Sequence, residues 1–562
     1  MERHVVTGSQ AAVKYWLADH TTCSESEAGV YWLVPATTAY PAAKAETEAE
    51  ADRVIVMDNS AACSEAMAAV KDGAAVVVYD VDRVLACAHA AGGRLFADVI
   101  RVCTAASTLV LAFEPATARS VAGDTLVATL AGGIEGVEVS DDDVQSSMGI
   151  GTVVGAQVAA WRVETLLIAP SAAPGDPWQP CAPPLYQTAT FVQPGARVNG
   201  PYDYTRSGNP TRTAVQEALR RLIARASGLD ASSVAVFALS TGMAALSAVV
   251  NLVPPGATVV ACDDLYGGMH RLLTQVASPH AGIKTEFARV SDADALRARL
   301  TELAADGHDV RLVHIESPSN PLLHIADIAA VAAVVHDAGA LLSVDNTMMT
   351  PLGQAPLALG ADIVVHSATK YLCGHADVMA GVVAVNTAAA PCAADTLKFL
   401  VNAQGSGLAP MDCWLMHRSL KTLRVRTAAA VAAGAKIEAF LASAPWVTAL
   451  HSARGSAVHA AQAAWIPPVF SFETGDVEFS ARLLKACRVF KISVSFGSVA
   501  SVIELPAAFS HASISPDART LPQDLVRLSV GLEHPDDLIA DLAAAAALAA
   551  ARSPLPARPV PS

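Results

Sequence analysis

The sequence is short of the features that mark membrane, nucleic-acid or disulfide-built proteins. Charged residues make up only 16% of the 562, and no stretch reaches the roughly 20 consecutive apolar residues of a bilayer span. The longest candidate, "LIADLAAAAALAAA" from Leu538, is interrupted by Asp541 and predicts a terminal amphipathic helix. The net charge of −15 is spread along the chain without a basic stripe, which excludes an ordinary nucleic-acid surface. The acidic cluster Asp141-Asp142-Asp143 reads as a solvated turn. Ten cysteines lie far apart with no C-x-x-C pair, so neither a metal site nor a disulfide framework is indicated. "MERHVVTGSQ" lacks the apolar core of a signal peptide, and the acidic residues after it argue against a transit peptide. A reducing compartment, the cytoplasm, is therefore expected.

What the sequence has in quantity is apolar, alanine-rich segments: 52% hydrophobic residues and a mean hydropathy of +0.38, enough for large buried cores in about three domains. "PAAKAETEAEADR" (41–53) and the proline-dense "APSAAPGDPWQPCAPP" (169–184) read as linkers. Before the second, "RVIVM" (53–57), "AAVVVYD" (74–80) and "TLVLAF" (108–113) predict buried strands. Helical patterns near 61–71 and 81–92 complete a small α/β unit over residues 1–160. The glycines of "GIGTVVGAQVAAW" (149–161) are wrongly spaced for a dinucleotide loop, and this unit declares no function.

From Arg212 onward the α/β alternation is strong. "VAVFAL" (234–239), "TVVACDD" (258–264), "VRLVHIE" (310–316), "ALLSVDN" (340–346) and "DIVVHS" (362–367) predict strands of an open, mostly parallel sheet. "IADIAAVAAVVHDAG" predicts a crossover helix. Such sheets bind ligands beyond the carboxyl ends of their strands, and the polar residues of interest all lie there. "STGMAAL" (240–246) is a glycine turn opening a helix, suited to an anion or to a plain Ser/Thr cap. Asp345 ends a very apolar strand, where a carboxylate is costly unless it meets a cation or is satisfied by its loop. Tyr266 follows another strand on a glycine turn. Ser367 and Thr369 precede Lys370, an amine set just beyond apolar sequence. An anion cradle, a carboxylate, an aromatic plate and an amine are together what pyridoxal phosphate needs.

The segments "YDYTRSGNPTR", "STGMAAL", "LYGG", "ESPSNP", "VDNT", "HSATKYLCGHADVMAG" and "SVSFGSVASVIELPAAFSHASI" resemble, in order, those of the Cys/Met-metabolism family of fold-type I pyridoxal-phosphate enzymes. The resemblance spans roughly Val163 to Leu548 and includes the 25-residue interval from Asp345 to Lys370. It implies a pyridoxal-phosphate large domain over 213–416, a smaller α+β domain over 417–552, and a linker and arm over 161–212 that contacts a neighbouring subunit of a homotetramer; the proline-rich "SPLPARPVPS" (553–562) reads from its composition as a disordered tail. It further implies that Lys370 carries the cofactor and moves the substrate's Cα proton, while Asp345 pairs with the ring nitrogen. Tyr266 would stack on the ring and assist proton transfer. Gly242, Met243, Ser367 and Thr369 would hold the phosphate, joined by Tyr204 and Arg206 from the neighbouring subunit. Arg527 would clamp the substrate carboxylate, with Ser495 and Asn320 completing its surroundings.

Other residues of these motifs are read as structural: His375 and Asp377 fix the turn after Lys370, Cys373 packs, His511 supports its loop and Glu316 anchors its turn. Val494 stands where γ-acting members often carry glutamate, and Gly268 where methionine γ-lyases tend to show cysteine. Together with "GLAPMDCWLMHRSLKTLRVR" (407–426), this looks most like plant-type members that split L-cystathionine at the β-carbon to homocysteine, pyruvate and ammonia in methionine biosynthesis. A γ-acting relative, and more remotely a non-catalytic scaffold, are the alternatives; the plant resemblance also brings in the plastid.

Overall fold

The computed structural model describes residues 161–168, 180–510 and 521–551, together with five short strands before residue 112. The chain separates into two compact units, Met1–Ala160 and Trp161–Ser562. In the first, strands Ser24–Glu25, Tyr31–Trp32, Val54–Val56, Ala75–Val78 and Val110–Leu111 form one sheet in sequence order, its first pairing antiparallel and the rest parallel. The last three lie within the predicted strands. The helical patterns near 61–71 and 81–92, His511 and the tail lie outside the described residues.

The second unit is built on a seven-stranded sheet. Its strands are β1 (Val234–Leu239), β2 (Thr258–Cys262), β3 (Lys284–Ala288), β4 (Val310–Glu316), β5 (Leu341–Asp345), β6 (Ile363–His366) and β7 (Gly381–Asn386), in the spatial order β1-β7-β6-β5-β4-β2-β3. Only β7 runs antiparallel to its neighbours, so β1 to β6 all end at the same edge. β3 and β7 were not among the predicted strands. "KTEFA" alternates charge with apolar residues at the sheet's border, and "GVVAVN" is hidden behind the glycine turns that follow Lys370.

Alternation divides the core between the two faces of this sheet. Val364, Val382 and Ala384 pack with helix α1 (Pro210–Ser227) and the C-terminal domain, whereas Ile363, Val365, Val383 and Val385 pack with helix α2 (Gly242–Val250) and helix α3 (Ile328–Asp337). The crossover helix predicted from "IADIAAVAAVVHDAG" is α3, capped by Asp327 through the Ala330 amide. The C-terminal sheet comprises β8 (Ala449–His451), β9 (Val469–Glu473), β10 (Lys491–Ile492), β11 (Val502–Glu504) and β12 (Val526–Ser529), ordered β8-β9-β12-β11-β10. It brings residues 495–504 and 527 to the carboxyl edge of the large sheet, as the contacts below show.

Candidate active site

Five loops at that edge supply the predicted residues of the large domain, and the C-terminal domain adds Ser495 and Arg527. After β1, Thr241 caps α2 by accepting the Ala244 amide at 2.9 Å. The amides of Gly242 and Met243 are first-turn donors this cap does not use, and they carry the positive end of the helix dipole. A Cβ on residue 242 would lie 2.8 Å from the Ser367 Oγ, so only glycine lets the helix start and the Ser367 hydroxyl share one small cradle. The Ser367 amide donates to Thr347 Oγ1 at 2.7 Å, and the Thr347 amide donates to Asp345 Oδ1 at 2.9 Å. One threonine thus ties the carboxylate loop to the hydroxyl loop. Thr369, by contrast, spends its hydroxyl on Ala380: it accepts the amide at 3.0 Å and donates to the carbonyl at 3.2 Å, bracing the turn around Lys370.

Burial pushes the Asp345 carboxyl up, opposed by the Thr347 contacts and the charge of Lys370. On the neighbouring strand end Glu316 is buried, and its Oε1 accepts the Tyr266 amide at 2.8 Å, so it anchors the tyrosine loop. Burial, and next the charge of Asp345, hold its carboxyl well above the usual range. Tyr266 folds its 36% exposed side chain over Gly268, whose added Cβ would sit 2.4 Å from the Tyr266 Cε1 and 3.0 Å from the Met243 Sδ.

Lys370 donates from Nζ to Ser495 Oγ at 2.7 Å, and the ammonium lies 5.3 Å from the centroid of the Phe496 ring. Desolvation first, then the nearby Arg527 charge, lower its pKa to about 8. Ser495 holds a left-handed φ of 89°, a strained conformation for a residue with a Cβ, and it aims hydroxyl and carbonyl at two different cations. Its carbonyl accepts from Arg527 Nη2 at 2.7 Å, and Arg527 Nη1 donates to Asn320 Oδ1 at 2.8 Å. Lys370, Ser495, Arg527 and Asn320 therefore form one continuous hydrogen-bonded chain across the two sheets.

Tyr204 and Arg206 stand apart from this cluster. Arg206 stacks 5.6 Å from the Tyr204 centroid and donates to the Asn402 carbonyl at 3.0 Å, at the end of helix Pro391–Gln404. His375 bonds the Cys373 carbonyl at 2.7 Å, a turn contact, and burial raises the Cys373 thiol to about 12. Asp377 is exposed. Three contributors escaped the sequence reading. Arg426, buried, donates to the Tyr371 carbonyl at 2.8 Å and the Ser419 carbonyl at 3.0 Å, pinning the turn after Lys370. Phe496 underlies both Lys370 and Arg527. Glu504 pairs with Arg527, and its only signal is one charge inside the apolar run "SVIEL".

A lysine of lowered basicity, a carboxylate one strand away and a hydroxyl-and-amide cradle are the donor set that pyridoxal phosphate requires, and these residues fit it. Residues 164–547 match the family described as Cys/Met metabolism PLP-dependent enzyme. The chain belongs to this family. Family members share a fold-type I architecture, here the mostly parallel sheet between helices. The chain is 46% identical over 375 residues to cystathionine beta-lyase, chloroplastic, of Arabidopsis thaliana, covering 65% of this chain and 77% of that one. It is 38% identical over 368 residues to cystathionine gamma-lyase of Bacillus subtilis, covering 64% and 92%. Among solved structures, cystathionine gamma-lyase from Lactobacillus plantarum complexed with L-serine is 34% identical with a TM-score of 0.64, covering 69% of this chain and all of that one.

Proposed function

We propose that the chain is a pyridoxal-phosphate-dependent carbon–sulfur lyase that splits L-cystathionine by β-elimination to homocysteine, pyruvate and ammonia. The observation that carries the reading is the continuous contact chain in which Ser495 links the Lys370 amine to the Arg527 guanidinium. It builds the base and the carboxylate clamp as one unit. The cofactor, when bound, supplies an electron sink for the pair left at the substrate's Cα. Asp345 would hold its ring nitrogen, Tyr266 would cover its ring, and Gly242, Met243 and Ser367 would hold its phosphate, with Thr369 joining them only by releasing the Ala380 carbonyl to which it donates.

The remaining work falls to the chain's own side chains. Arg527, with Asn320 and Ser495 fixing its plane, takes the substrate carboxylate and so fixes where Cα sits. Lys370, with a pKa of about 8, has an appreciable neutral fraction near neutrality, takes the Cα proton and returns it to the departing sulfur. Ser495 Oγ holds the amine on line between those two positions. Val494, half exposed beside it, presents an apolar wall rather than a second carboxylate. The similarity to the Arabidopsis β-lyase supports β- over γ-cleavage. Product analysis tests it: homocysteine and pyruvate are expected from L-cystathionine, whereas cysteine and 2-oxobutyrate would overturn the assignment for a γ-acting one.

The assembly proposed is a homotetramer in which Tyr204 and Arg206 reach a neighbouring subunit's phosphate site. Exposed apolar side chains around these two residues, Val192 at 99% and Phe399 at 68%, support a covered face there. Light scattering should give a tetramer mass. The compartment proposed is a reducing one, cytoplasm or plastid; the Arabidopsis relative is chloroplastic. Among the described residues no helix is long and apolar enough to cross a membrane.

A further inference from the structure

We propose that Glu504 is a positioning residue that sets how strongly this site takes a carboxylate, serving as the internal counter-ion with which a substrate competes at Arg527. The inference rests on the reading of Arg527 as the carboxylate clamp. Antiparallel pairing of β11 with β12 puts Glu504 directly opposite Arg527. Glu504 Oε1 lies 2.7 Å from Arg527 Nη2, and both side chains are buried, at 1% and 3% exposure. Nη2 carries two N–H groups. It faces two protein acceptors, the Ser495 carbonyl and Glu504 Oε1, while Nη1 gives one of its own to Asn320.

A ligand carboxylate that grips Arg527 across both Nη atoms must therefore share or displace an acceptor already in place. The Ser495 carbonyl is backbone; Glu504 is the charged competitor. Its hold on Arg527 is not its only tie: Ser510 donates to the same Oε1 at 2.7 Å. Glu504 Oε2 is buried without a hydrogen-bond partner among the described residues, so the carboxylate is stabilised chiefly by the cation opposite it. Phe496, 5.5 Å from the guanidinium, shields the pair from one side. Glu504 thus orients the clamp and at the same time offsets the charge that draws substrate in. The ligand class it tunes is an α-amino acid carboxylate, with no change in bonding.

The test uses full-length holoenzyme with L-cystathionine as substrate and propionate, which has no amine to react with the cofactor, as carboxylate probe. Glu504→Gln keeps the shape and a hydrogen bond while removing the charge. KM and the propionate inhibition constant are expected to fall together by roughly five- to tenfold, with kcat moving far less. Glu504→Asp, which retains the charge, should restore both constants toward wild type, and Glu504→Ser should follow Gln if the latter folds poorly. Unchanged or raised constants in Gln and Ser, alongside an Arg527→Ala variant that no longer binds propionate, would overturn the role of Glu504 while leaving the clamp standing. An Arg527→Ala variant that binds propionate as wild type does would overturn the clamp, and the inference with it.

Discussion

The two walls of the site are held by different means. On the large-sheet side, Asp345, Ser367 and the turn that carries Lys370 are fixed by contacts nearer in sequence: Thr347 to Asp345 across two residues, Ser367 to Thr347 across 20, and Thr369 to Ala380 across 11. Neutral hydroxyls and amides do the holding there. On the C-terminal side, Arg527 is held by a facing strand and by Asn320, 207 residues away, and its main partner is a buried opposite charge. The first wall is a set of turns joined by neutral hydrogen bonds, each contributing modestly. The second is a charge balance, in which removal of one partner leaves the other buried and uncompensated.

Four perturbations separate the walls, beginning with the largest. Lys370→Ala removes the amine that moves the proton, and turnover of L-cystathionine should fall by about 10⁴-fold or below detection, measured as pyruvate release. Because the amine sits on the turn wall, thermal stability should stay near wild type. Arg527→Ala attacks the other wall: KM should rise by about thirtyfold or more and the thermal midpoint should drop as well, since Glu504 is left unpaired in the interior. An Arg527→Ala protein of unchanged stability would deny the contrast.

The third perturbation is pH. Lys370 titrates at about 8, below its usual value of 10.5, because it is desolvated and faces Arg527. Its neutral, nucleophilic form is lost as pH falls through about 8. Uptake of the pyridoxal aldehyde by apoprotein should therefore rise to half its maximum near pH 8, more than two units lower than for an ordinary lysine; stopped-flow absorbance reads it. The smallest effect is expected from Gly268→Ala. Its Cβ would intrude on the Tyr266 ring, so the ring must tilt, and kcat should fall by roughly two- to tenfold with KM for L-cystathionine little affected.

The same contrast explains what was legible in the sequence. The turn wall follows strand ends, and hydrophobic runs closing on Ser-Thr-Gly, Asp-Asn-Thr or Ser-Ala-Thr-Lys announce themselves; β1, β2, β4, β5 and β6 were found this way. β7 was missed because it is antiparallel and begins inside a glycine-rich stretch, and β3 because one polar border strand looks like a loop. On the other wall, Arg527 was legible only through resemblance. Glu504 was not, since pairing across two strands depends on register, which no local pattern states. Arg426 escaped for a related reason: a buried guanidinium serving backbone carbonyls in the turn after Lys370 looks, in sequence, like any basic residue on a helix.

The claim on which the rest depends is that Lys370 is the residue that carries the cofactor. Holoenzyme reduced with borohydride, digested and sequenced by mass spectrometry tests it most directly. A pyridoxyl group on the peptide holding Lys370, and on that residue within it, is the expected result. Label on another lysine, or a reduced protein that releases its cofactor unlinked on denaturation, would contradict the account.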